Sequence, residues 1–295
     1  MSVSYSANSS ESIAAGRSAP RRETIIRPPS LMRADVVGDL ARLIEYRDLL
    51  YTLSAHRIKV RYKQTALGIS WALLQPLAIM LLFTLVFSFI VRMPSEGLPY
   101  ALFAYAAVLP WTYFSTALSN GSNGLVSNSQ LITKVYFPRE ILPLTYVIAA
   151  LFDFAIASSV LVALMIHYKV SLTANAFYAI PIIFVLTLFV CAATLLLSAL
   201  EVRFRDIGIA MPLLLQVWMF ATPVAYPLSA VPDQLRPLYL LNPMVGIIEN
   251  FRRVVLYGRP PDNSSLAVSG LIAIVLLVAS YICFKRVEAT MADII

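Results

Sequence analysis

The segment Lys59-Val60-Arg61-Tyr62-Lys63-Gln64-Thr65-Ala66-Leu67-Gly68-Ile69-Ser70-Trp71-Ala72-Leu73-Leu74-Gln75-Pro76 passes from three cations within five residues to a run without charge that lasts until Arg92. As a helix, residues 71–91 rise about 31 Å at about 1.5 Å per residue, enough to cross a hydrocarbon core of about 30 Å. Lys and Arg are held at an anionic membrane surface, and an indole ring prefers headgroup level. Trp71 is therefore expected at the boundary between water and lipid. A chain built this way is an integral membrane protein that enters the bilayer from its cytoplasmic side.

The pattern recurs along the chain. Hydrophobic residues make up 59% of the sequence and charged residues 13%, a mix suited to lipid and foreign to a soluble domain. Weakly charged stretches near 20 residues fall at 71–91, 98–118, 141–166, 177–200, 207–227 and 264–284, which predicts an all-α membrane protein with six spans. With the N-terminus in the cytosol, 17 Lys and Arg fall inside and six outside. That asymmetry places both termini in the cytosol. The expected organisation is a tail at 1–30, an interface helix and basic segment at 31–70, the transmembrane domain at 71–285 and a short cytosolic tail at 286–295.

Residues 1–30 are rich in Ser, Arg and Pro and contain no apolar h-region, so no secretory signal is expected there, only a disordered tail. Cys191 and Cys283 both lie in apolar runs and are expected to act as small hydrophobes, with no disulfide framework or metal site. The net charge of +7 raises the question of nucleic acid. The cations flank membrane spans and are not interleaved with stacking aromatics, so membrane lipids are the partner they fit and nucleic acid is not.

Two further segments are expected to lie in the membrane without crossing it. From 36 to 51 the apolar residues share one helical face, with Asp35, Asp39, Arg42 and Glu45 opposite, as in an interfacial helix. Arg47 falls in the apolar arc, either snorkelling to water or forming a buried ion pair with another helix. The external connection 228–263 is broken by Pro232, Pro237 and Pro243, yet is apolar at 245–248 and 254–256. It reads as short half-inserted helices, tolerable at that depth where protein or a water-filled path covers them, and hence as a candidate exit.

Catalytic chemistry is absent from the sequence. There is no Gly-x-x-x-x-Gly-Lys-[Ser/Thr] phosphate loop, no Gly-x-Ser-x-Gly and no His-Glu-x-x-His, so the chain is expected to bind no ATP, no cofactor and no metal, and to be no enzyme. Asn120-Gly121-Ser122-Asn123-Gly124 reads as a turn. Asp153 is the clear carboxylate at mid-span, placed there either for function or to bond Ser158 or a neighbouring helix. With so few intramembrane charges and no inverted repeat, energy for any transport is expected from a partner.

Three blocks in order, Tyr46-Arg47-Asp48-Leu49-Leu50 with 59–76, then Ile132-Thr133-Lys134-Val135-Tyr136-Phe137-Pro138-Arg139-Glu140-Ile141-Leu142-Pro143, then Leu241-Asn242-Pro243 followed by Arg252, resemble the membrane subunits of ABC-2-type polysaccharide exporters. The resemblance covers residues 40–285. The second block has its own physical reading: Ser127, Asn128 or Ser129 can cap a short helix over 130–137 that Pro138 blocks. In the family this loop is the coupling helix seated on an ATPase subunit, which implies contact through Ser129, Gln130, Lys134, Tyr136, Phe137 and Arg139; otherwise it is a solvated loop end. Arg47, Lys59, Arg61 and Lys63 would meet the pyrophosphate of a lipid-linked glycan, a role compatible with their orienting the first span.

Tyr105, Trp111, Phe114, Trp218, Phe220 and Tyr226 are interface anchors or, as the resemblance implies, line a sugar path at a homodimer interface. Asn242, Pro243 and Arg252 would form its outer gate. The partners implied are a second copy of the chain, two copies of a cytosolic ATPase that binds the ATP-Mg, and a polyprenyl-pyrophosphate-linked glycan in a bacterial inner membrane. The same architecture would serve an exporter of small amphiphiles, and a channel or scaffold without an ATPase is a further alternative.

Overall fold

The computed structural model describes residues 44–63, 65–288 and 290–291. The expected tail at 1–30, the first half of the amphipathic stretch at 36–51 and the last residues of the 286–295 tail lie outside the described residues. Below, the inner end is the one sequence reasoning assigns to the cytosol.

Every regular element among the described residues is helical. Helix α1 (Arg47–Lys63) precedes α2 (Trp71–Phe83), which continues as a π-helical segment to Ile90. Then come α3 (Tyr100–Ser122), the short α4 (Ser129–Lys134), α5 (Ile141–His167) and α6 (Ala179–Arg203). After α7 (Asp206–Phe220) the chain forms two short helices, α8 (Arg236–Leu240) and α9 (Pro243–Val255), and ends in α10 (Asn263–Glu288). Among the described residues, five helical stretches are long and apolar enough to cross a membrane: Gly68–Ile90, Tyr100–Ser122, Ile141–His167, Ala174–Arg203 and Asn263–Glu288.

The expected span at 207–227 is shorter. Helix α7 has 15 residues, about 22 Å of rise, and its path ends where Thr222 Oγ1 turns back to the Trp218 carbonyl and residues 221–226 leave the helix. Pro223 and Pro227 deny that stretch the amide hydrogens a further helical turn needs. The short helices α8 and α9 follow.

Helix α3 is the hub. It has the lowest mean hydropathy of the five spans, 1.3 against 2.3 to 2.8, and is the most buried. A span that faces protein need not be as apolar as one that faces lipid, and its Ala residues at 104, 106, 107 and 117, all fully buried, let α5, α6, α7 and α9 approach closely. Gly121 extends this rule: a Cβ there would meet Thr194 Cγ2 of α6 at 2.3 Å. The 120–124 stretch expected as a turn is thus helical through Ser122, and the turn starts at Asn123.

A second, smaller core lies at the inner end. Leu125, Ile132 and Phe137 of the α4 loop pack there with Leu142, Leu195, Val202 and Phe284, and Leu49, Leu50 and Leu53 of α1 cover it.

Candidate functional site

Helix α1 lies along the inner half of α5. Arg57 Nε donates to Thr145 Oγ1 at 2.6 Å, and its guanidinium sits 3.5 Å from the centre of the Tyr146 ring. The described part of the expected interfacial helix continues past Tyr51 to Lys63. Lys59, Arg61 and Lys63 occupy its last turns, where cations complement the helix dipole. Arg47 forms no buried ion pair with another helix: it is exposed, 3.8 Å from the still more exposed Asp48.

At the end of α1, Arg61 Nη1 reaches Asp153 Oδ2 at 2.5 Å, and the Tyr62 hydroxyl donates to the other carboxylate oxygen. Asp153 therefore bonds the neighbouring helix α1 and not Ser158, whose hydroxyl donates to the Phe154 carbonyl. Burial, reinforced by the bond to Asp153, pushes the Tyr62 phenol far above its ordinary range, so it stays a donor at physiological pH. These residues border a cavity of about 310 Å³ whose wall also includes Trp71, Gln75, Thr112 and Tyr113. Asp153 thus shares the cavity wall with the first turns of α2, where the basic segment ends, and with the middle of α3. The cavity offers an exposed cation, hydroxyl and amide groups and two aromatic faces, suited to a polar headgroup or sugar entering from the side of the first span.

The α4 loop departs from its expected form. The helix runs from Ser129 to Lys134 with no side-chain cap, Asn128 bonding the Gly124 carbonyl instead, and it ends four residues before Pro138. Gln130, Lys134 and Tyr136 are exposed and Ser129 half-buried. Phe137 is buried in the inner core. Arg139 turns inward to the end of α10, donating from Nη1 to the Glu288 carbonyl at 2.7 Å. The six residues grouped by sequence therefore divide into an exposed tip and an internal anchor.

The aromatic set divides as well. Tyr105 and Phe114 are fully buried and Trp111 nearly so: the Tyr105 hydroxyl donates to the Ala157 carbonyl, and Phe114 stacks on Phe189 with Trp218 edge-on. Phe220 is exposed, on the same open side of α7 as Leu213 and Val217. Tyr226 donates to the Phe220 carbonyl and meets the Tyr239 hydroxyl.

Asn242 and Pro243 stand at the start of α9 and Arg252 near its end, and Asn242 and Arg252 each bond the 221–226 turn. Asn242 caps α9 through the Met244 amide, accepts from Trp218 Nε1 at 3.2 Å and donates to Thr222 Oγ1 at 2.9 Å, and Pro243 takes the first helical position. Arg252 is fully buried. Its guanidinium donates to the carbonyls of Phe103, Pro223, Val224 and, at 3.5 Å, Tyr226, and lies 3.7 Å from the Phe103 ring. The 221–226 turn, α9 and α3 are fastened to one another at this point. A Cβ on Gly246 would meet Ser269 Oγ at 2.3 Å, so that residue admits α9 against α10.

Sequence reasoning missed Tyr62, Gln75 and Thr112 at the cavity, and Glu140, Lys285 and Glu288 behind the α4 loop. Each is an ordinary polar residue whose partner is remote in the chain, and the one local signal was Asp153, a charge in an apolar stretch.

Together these features define a polytopic helical membrane protein of the transporter type, with a cavity beside its first span and half-inserted helices at its outer end. The chain belongs to the ABC-2 type transporter family, whose family model matches residues 48–256, as the three sequence blocks implied. It is similar to the O-antigen export system permease protein RfbA of Myxococcus xanthus, 32% identical over 253 residues, 85% of this chain and 96% of that protein. The Klebsiella pneumoniae protein of the same name is 24% identical, covering 84% and 95%. The polysialic acid transport protein KpsM of Escherichia coli is 25% identical, covering 81% and 93%.

Proposed function

We propose that this chain is the permease subunit of an ATP-driven exporter that carries a polysaccharide on a polyprenyl-pyrophosphate lipid across a bacterial inner membrane. The observation that carries this reading is the 32% identity over nearly the whole length of a protein named as an O-antigen export permease. Two copies of the chain would enclose the path, with the open apolar faces of α2 with its π-helical continuation and of α7, including Leu81, Leu85, Leu213 and Val217, meeting each other or lipid. The chain carries no phosphate loop, so ATP-Mg and its hydrolysis belong to two cytosolic partner subunits, docked on the exposed tip Gln130, Lys134 and Tyr136. This chain itself holds no cofactor. Both termini are cytosolic.

The cavity beside Arg61 supports the substrate class. Lys59 and Lys63 are exposed in the same last turns of α1 as Arg61 and do not line the cavity; charge-assisted contacts from such cations to a pyrophosphate are strong and insensitive to the sugar beyond. Trp71 and Tyr113 offer ring faces to the first sugar.

The test is deletion of the gene, with lipid-linked glycan measured in the cytoplasmic fraction and an ATPase sought among proteins that co-purify with the chain. Accumulation of undecaprenyl-linked glycan inside the cell together with ATPase capture is the expected result. Capture without accumulation reassigns the chain to export of small amphiphiles, and absence of any ATPase leaves a channel or scaffold.

A further inference from the structure

The inner end of α10 and the α4 loop are 149 residues apart in sequence and joined by a closed polar ring. The Arg139 amide donates to Glu288 Oε1 at 3.2 Å, while its guanidinium takes the Glu288 carbonyl. Lys285 Nζ donates to Glu140 Oε1 at 3.0 Å and to Glu288 Oε2 at 2.9 Å. Glu140 is fully buried, and its other carboxylate oxygen has no hydrogen-bond partner among the described residues. Burial, and then repulsion from Glu288, raise its pKa, while Lys285 opposes the rise. The ring sits against the inner core, where Phe137 and Phe284 pack in one cluster. Charge and packing thus tie the Arg139–Glu140 corner to the last span, while the tip at Lys134, Val135 and Tyr136 is exposed.

We propose that Glu288 and Lys285 are positioning residues for energy transfer: they hold the 139–140 corner to α10, so that displacement of the α4 tip moves the last span instead of bending residues 135–140. This rests on the reading of the α4 loop as the ATPase contact. It assigns to the end of α10 a part that neither the sequence blocks nor the relatives' names contain. A loop that only caps the fold would need the inner core, whereas force transmission also needs a link that resists shear, and paired charges with directional bonds provide one.

The experiment uses the full chain in complex with its ATPase, reconstituted in liposomes, and the full chain alone. In Glu288→Ala, hydrogen exchange over residues 135–142 should rise in the isolated chain. In the complex, ATP turnover should be kept while export falls roughly two- to thirtyfold, the range over which coupling substitutions act. A second variant, with Cys191 and Cys283 replaced by Ser and with Arg139→Cys and Glu288→Cys bridged by a short bismaleimide, should regain export, because the two segments travel together. Loss of export on bridging overturns the proposal, as does unchanged export in Glu288→Ala despite faster exchange. If the unmodified chain captures no ATPase, it is the functional reading that fails, and the exchange measurement still reports on the ring alone.

Discussion

Two arginines anchor opposite ends of this molecule by different means. Arg61, at the inner cavity, keeps 37% of its side chain exposed and is paired with a carboxylate. Arg252, at the outer end, is wholly enclosed and held by backbone carbonyls, with the nearest carboxylate oxygen, of Glu249, at 4.0 Å. A partly exposed ion pair gains only modestly against water and can exchange partners. A buried guanidinium surrounded by fixed acceptors cannot leave without stranding each of them. The inner arginine is thus the more exchangeable of the two, as the proposed entry site requires, and the outer one the more firmly held.

Arg252→Gln tests this contrast where the effect is largest. It should destabilise the protein by about 3 kcal/mol or more, because several buried carbonyls lose a charged donor together. Thermal unfolding in detergent reads the loss, and Arg252→Lys should restore little of it, since one ammonium cannot span the acceptors a planar guanidinium reaches. Near-native stability of both variants would end the distinction between the two ends.

Asn242→Ala comes next. It removes the α9 cap and leaves Trp218 Nε1 without its acceptor, a loss of about 2 kcal/mol. Tryptophan fluorescence should report a changed environment for Trp218 in parallel with the lower unfolding temperature, and an unaltered spectrum would remove Asn242 from its central place in the outer cluster.

The smallest stability change belongs to Asp153→Asn, about 1 kcal/mol or less after screening of the half-exposed pair. Its functional signature should be larger: Arg61 loses its carboxylate partner, so export should respond more strongly than unfolding temperature. If stability and export fell in the same proportion, Asp153 would be a structural fastener like Arg252, and the inner end would not be exchangeable.

Much of the fold was legible because lipid imposes a simple rule. Apolar runs such as 71–91 and 141–166 had to be helices, since an unpaired backbone has no partner in hydrocarbon. The half-inserted character of 228–263 was legible from its prolines and apolar patches for the same reason. The candidate site was less so. Arg61 could be selected by its place in the basic segment, but its pairing with Asp153 joins residues 92 apart, and no local pattern encodes that. Trp111 and Phe114 look like wall residues in a sequence, because an aromatic in a span reads alike whether it faces a path or a neighbouring helix.

The sequence by itself determined that the chain lives in a membrane, how many apolar segments it offers and which end carries its cations, because charge and hydropathy act on each segment separately. Tertiary structure alone decided that α3 is enclosed, that Phe137 and Arg139 turn inward while Tyr136 turns out, and that Glu288 closes a ring on the α4 loop. These depend on which helices meet, and contact between remote segments is set by the shapes and charges of both partners at once.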